Sequence, residues 1–166
     1  MIAAKSYLGK KVAVMGLARS GQAAAEALKA GGAEVIAWDD DVKKCRETAL
    51  LGINISDLTK EDFTNIDALI LSPCIPHSYP KPDVVAKKAK TANTPIIGDI
   101  EIFVKNFVEP HIIGITGTNG KSTTTALVGH ILRCAGLPVE IGGNIGLPVL
   151  GFENTLDAGY QVLEIS

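Results

Sequence analysis

Apolar residues in this chain come in short unbroken runs, separated by polar and glycine-rich stretches. KVAVM (11–15), EVIAW (34–38), ALIL with Ser72 (68–72) and PIIG (95–98) are each of strand length. They do not alternate strictly between apolar and polar, as expected for parallel strands covered on both faces. An alanine-rich stretch over roughly 20–30, closed by Gly31 and Gly32, reads as a helix, as do stretches near 42–51 and 82–92. Strand and helix signals that alternate in this way predict βα units and a parallel sheet with right-handed crossovers. At Val108-Glu109-Pro110 the pattern breaks and restarts. HIIGIT (111–116) reads as a strand, followed by a glycine loop and a helix from Lys121 to about Ala135, stopped by Gly136 and Pro138. A last strand signal, YQVLEI, runs to Ser166.

Each of the two stretches, before and after this break, carries a glycine loop. VAVMGLARSG puts Gly16 and Gly21 at a strand-to-helix turn, where backbone N–H groups favour a diphosphate. A dinucleotide fingerprint would need glycine at 18, and Ala18 stands there; Asp39 falls where such folds place a ribose-binding carboxylate. From the loop alone, NAD, another nucleotide and an unliganded turn all remain open. The second loop, GITGTNGKSTTT (114–125), ends like a phosphate-binding loop but has Ile115 where the usual pattern has its first glycine. Gly117 and Gly120 let successive N–H groups turn inward toward phosphate, Lys121 supplies charge, and the Ser122 hydroxyl suits Mg²⁺. The expected fold class is α/β. A Rossmann-like parallel-sheet domain spans 1–108, and 109–166 is the start of a P-loop ATPase-like α/β domain, truncated before its sheet can close.

Charge and cysteine content narrow the classes further. The net charge of −2 and pI near 5.9 show no basic footprint for nucleic acid, and Lys81, Lys87, Lys88 and Lys90 read as the wet face of a helix. Cys45, Cys74 and Cys134 form no C-x-x-C pair, so reduced thiols and a cytoplasmic setting are expected. No apolar leader or membrane-length run occurs, so no membrane partner is expected.

TGTNGKST (116–123) resembles the ATP loop of the Mur ligases, whose version lacks the usual first glycine; folylpolyglutamate synthases share a similar loop. GDIEIF (98–103), GGNIGLP (142–148), LSPCI (71–75) and LEIS (163–166) resemble further segments of the D-glutamate-adding Mur ligases, in the same order. The resemblance covers about Val12 to Ser166. It implies a first domain that binds the UDP of UDP-N-acetylmuramoyl-L-alanine rather than NAD. Arg19 and Ser20 would hold the diphosphate, Asp39 and Asp40 would reach uracil or ribose, Ser72 would line the same pocket, and Asn144 would approach the diphosphate from the second domain. Gly117, Thr118, Asn119, Gly120, Lys121, Ser122 and Thr123 would bind ATP. Lys121 and Glu164 would be the catalytic residues, with Ser122 and Glu164 on Mg²⁺. A carboxylate at 164, near the end of an apolar strand, is costly unless paired, and a cation resolves that cost.

The implied reaction is ATP-dependent amide formation with D-glutamate, in a monomeric parent enzyme of peptidoglycan synthesis. Two departures stand out. Cys74 replaces the family's glycine in the S-P-G-I loop, and Asp41 adds a third carboxylate after Asp39 and Asp40. Asp99 and Glu101 read as cap residues at a helix start. The family's remaining metal ligands and its D-glutamate domain have no counterpart in these residues, so the resemblance implies a fragment inactive by itself. The alternatives are an NAD(P)-binding domain of an oxidoreductase and a non-catalytic UDP-sugar-binding module.

Overall fold

Two parallel sheets organise the chain in a computed structural model that describes residues 2–79, 81–106, 111–152 and 159–165. The predicted joint at 108–110 lies outside the described residues. The first sheet contains β1 (Lys11–Met15), β2 (Glu34–Trp38), β3 (Asn54–Ile55), β4 (Ala68–Leu71) and β5 (Ile96–Ile97), in the order β3-β2-β1-β4-β5. Helices α1 (Arg19–Ala30), α2 (Val42–Leu50), α3 (Val84–Thr91) and α4 (Asp99–Asn106) complete this half. The second sheet contains β6 (His111–Ile115), β7 (Val139–Gly143) and β8 (Tyr160–Glu164) in the order β6-β8-β7, with α5 (Lys121–Cys134) after β6.

The unbroken apolar runs follow from burial on both faces of the first sheet. Val12 and Val14 of β1 face a core built with Ala24, Ala27 and Leu28 of α1 and Ile102 and Phe103 of α4. Ala13 and Met15 face the other way, into a core with Leu69, Leu71, Phe63 and Val85, Ala86 and Ala89 of α3. This is the period of two expected of a strand, with both faces dry. β7 gives no such signal in sequence, because Glu140, Gly142 and Gly143 interrupt its apolar pattern; pairing with β8 defines it.

The two halves share one of these cores. A 3₁₀ turn at Val149–Gly151, followed by Phe152, places Val149, Leu150 and Phe152 against α1 and α4, and Leu163 of β8 joins them. Phe152 meets Phe103 edge to face, with ring centres 6.0 Å apart. The restart seen in sequence thus separates two sheets, while residues 149–152 return to the helices of the first.

Candidate functional site

In the first sheet the chain runs from β1 outward to β2 and β3, then crosses to β4 and β5 on the other side of β1. Ligands of open α/β sheets bind at the carboxyl ends of strands at such a switch point. A cleft of about 180 Å³ opens there. Ala18, Arg19 and Ser20 wall it from the turn after β1, and Ser72, Pro73 and Cys74 from the loop after β4. Asp99 comes from the start of α4, and Gly143, Asn144 and Pro148 from the turn after β7. Four of the residues singled out in sequence, Arg19, Ser20, Ser72 and Asn144, therefore surround one cavity. The Arg19 guanidinium crosses to donate to the Gly146 carbonyl at 3.1 Å, so it ties the two halves together at the rim. Its backbone, at the start of α1, keeps the helix-end N–H groups turned toward the cleft.

Asp39 and Asp40 are not among the residues that wall this cleft. The Asp39 carboxylate is held by the turn itself, accepting from Leu17 N–H at 2.7 Å and Asp41 N–H at 2.8 Å. Lys44 lies 3.3 Å from it. Burial pulls its carboxyl upward, but the N–H groups of Asp41 and Leu17 and the Lys44 ammonium outweigh burial and leave it below its ordinary value. A carboxyl lowered on folding stabilises above its unfolded pKa of 3.8, and that stabilisation is lost as pH falls through the folded value. Asp39→Asn is therefore expected to cost about 1 kcal/mol at pH 7 and progressively less below pH ~3.8, where Asp39 of the unfolded chain takes up its proton before that of the folded chain. Urea unfolding of both proteins at pH 7 and pH 3 checks this, and a loss that does not shrink at pH 3 contradicts it.

The second loop sits where β6 ends and α5 begins. Gly120, the residue before α5, has φ +76°, a left-handed conformation that glycine adopts at little cost. Lys121 folds back to donate to the Gly117 carbonyl at 2.8 Å, which closes the loop on itself. Thr124 N–H bonds Gly120 O, and the Thr125 hydroxyl bonds Lys121 O, fixing the first turn of the helix. Thr118, Asn119, Ser122 and Thr123 are exposed around it.

Glu164 stands level with this loop. It is in register with Ile115, the last residue of β6, and with Gly143 of β7. A Cβ on Gly129 of α5 would strike the Ile141 side chain, so α5 covers the face that carries Ile141 and its partner Val162. Glu164, two residues on, shares that face. It is 6% exposed, and its Oε2 hydrogen-bonds nothing among the described residues. A buried carboxylate oxygen without a donor is costly, and a hard cation with oxygen ligands from Glu164 and Ser122 fits the chemistry. The backbone of Glu164 is tied to the cleft wall, since its carbonyl accepts from Asn144 N–H at 3.0 Å.

Over its whole length the chain is 46% identical to the UDP-N-acetylmuramoylalanine–D-glutamate ligase of Caulobacter sp. strain K31, and 46% identical to those of Phenylobacterium zucineum and Sphingopyxis alaskensis. In sequence, the chain is similar to these ligases from end to end. It spans 37–38% of the length of these relatives. No protein-family model matches it. Shikimate dehydrogenase from Aquifex aeolicus shares 15% identity and a TM-score of 0.47 over 59% of this chain and 45% of its own, a likeness too slight to carry an argument.

Against the ligase family, two residues of the cleft stand out. Cys74, the departure from the family's glycine, is an exposed free thiol on the cleft wall. Asp99 was read from sequence as a cap, yet its residue walls the cleft. Only its neighbourhood in the GDIE segment hinted at more, since an acid in the first helical turn is ordinary for the helix dipole.

Proposed function

We propose that this chain carries the sugar-nucleotide cleft and the phosphate loop of an ATP-dependent ligase that joins D-glutamate to UDP-N-acetylmuramoyl-L-alanine. The observation that carries the reading is the cleft at the switch point, walled by residues on both sides of the chain's restart. The backbone bond from Asn144 to Glu164 ties the wall of the cleft to the strand beside the phosphate loop. An NAD site needs no such second loop.

In this reading the N–H groups at the start of α1 hold the diphosphate, and Ser72 and Asn144 fix the ligand across the cleft. The alanine carboxylate attacks the γ-phosphorus of ATP, giving an acyl phosphate and ADP. The amine of D-glutamate then displaces phosphate and forms the amide. Lys121 exchanges the Gly117 carbonyl for phosphate oxygens and stabilises the charge that develops on them. Glu164 and Ser122 would hold Mg²⁺, which supplies charge neutralisation on the transferring phosphoryl group.

Calorimetric titration of this chain with UDP-N-acetylmuramoyl-L-alanine, with NADH as comparator, tests the reading. Binding of the sugar nucleotide with no NADH signal is expected; binding of NADH alone overturns it. For the second loop, Lys121→Ala is expected to weaken MgATP binding by about 2 kcal/mol, some thirtyfold, the worth of a hydrogen bond from a charged group. The melting temperature should hardly move, because Lys121 is partly exposed and its side chain, among the described residues, bonds only its own loop. Equal ATP affinity in the two proteins removes Lys121 from the site.

A further inference from the structure

Asp99 places an acid in a cleft otherwise suited to an anion. Arg19 and the start of α1 face a diphosphate well, whereas a carboxylate beside phosphate is repelled unless a donor lies between them. Capping of α4 does not require it. The Glu101 Oε2 accepts from Gly98 N–H at 3.1 Å, while Asp99 Oδ1 takes the N–H of Ile100 at 3.0 Å. Apart from its own backbone N–H, no other donor to the carboxylate is found among the described residues, and no cation lies within ion-pair distance. A carboxylate offers about four acceptor positions, so acceptor capacity is left over. Asp99 also lines the narrow void behind the cleft, beside Ser20 and Ser72. Burial pushes its carboxyl above the ordinary value, against the lowering effect of the Ile100 and Asp99 N–H groups. Asp99 is half-buried at this wall, with acceptor capacity facing the cleft.

Position assigns the missing donor to one end of the ligand. Asp99 follows β5, and β5 lies on the opposite side of β1 from β2. A nucleotide whose diphosphate sits at the start of α1 places its nucleoside toward the end of β2, as in other switch-point sites. Its other half then runs over β4 toward β5 and Asp99.

We propose that Asp99 is a specificity-determining residue of the cleft, accepting a hydrogen bond from a hydroxyl or amide N–H on the sugar half of a sugar nucleotide. The inference rests on the reading of the cleft given above. It makes the cleft two-sided, with donors for the diphosphate and an acceptor for the uncharged sugar.

The test is titration of the wild-type chain and of Asp99→Ala with UDP-N-acetylmuramoyl-L-alanine and with UDP. Asp99→Ala is expected to weaken sugar-nucleotide binding about tenfold or more, the scale of a hydrogen bond to a charged group. UDP should bind unchanged or more tightly, since it loses a neighbouring acid and no partner. A merely structural role would weaken both ligands by the same factor, and that result overturns the proposal. No change for either ligand overturns it too, leaving the cleft reading intact. If the wild-type chain binds neither ligand, the cleft reading fails and the assignment of Asp99 falls with it.

Discussion

Gly21→Ala is expected to unfold the first half of the chain. A Cβ at this position would lie 1.8 Å from the Gly16 carbonyl oxygen and 2.9 Å from its carbon. Both are backbone atoms, so no rotamer change relieves the overlap. The turn cannot move away, because Gly16 N–H is bonded to Trp38 O at 2.9 Å and Leu17 N–H to Asp39. Helix α1 would have to lift off β1 and take with it Ala24, Ala25, Ala27 and Leu28, all fully buried. The expected loss is about 4 kcal/mol or more, a large share of the ~5–15 kcal/mol that holds a domain together. Urea unfolding measures it, and Gly98→Ala is the control: nothing lies within 4 Å of a Cβ there, and its effect should stay within ~0.5 kcal/mol. A Gly21→Ala protein as stable as wild type would refute the close approach of helix and strand on which the cleft depends.

The parts of the fold legible in sequence are those that a strand or helix dictates by itself. β1, β2 and β4 declare themselves because both faces are dry and every position after a leading Lys11 or Glu34 is apolar. β7 is hidden because Glu140 and two glycines hold their places through pairing with β8, a partner that local pattern does not reveal. β3, with two residues, is too short to make a pattern. For the cleft, Arg19, Ser20, Ser72 and Asn144 were reached through short strings resembling a known family, while the topology that gathers them follows from the strand order. At Asp39 the carboxylate falls at the strand end that the resemblance names, and the turn's own N–H groups already bond it. At Asp99 an acid in a first helical turn is locally ordinary, and that conceals its place on the cleft wall.

The return of residues 149–152 to the first half was not legible at all, and it leads to the second large effect. Phe152→Ala is expected to destabilise the protein by about 3–5 kcal/mol, the usual cost of emptying a buried phenylalanine site. Phe152 is 2% exposed, packs edge to face on Phe103 of α4, and fills the space beside Gly142, where even a Cβ would meet its ring at 2.5 Å. Its ring therefore touches both a helix of the first half and a strand of the second. Losing it weakens the contact between the halves more than either sheet, whose ladders do not involve residue 152. Thermal unfolding should accordingly lose cooperativity as well as temperature, with the wild-type transition splitting in the variant. Phe152→Leu, which keeps most of the apolar volume, should cost distinctly less, about 1–2 kcal/mol. Because Asn144 and Pro148 wall the cleft from the second half, sugar-nucleotide affinity should fall in Phe152→Ala at temperatures where the first sheet is still folded. A variant that unfolds in one transition and binds as tightly as wild type would show that the cleft does not need this core to assemble.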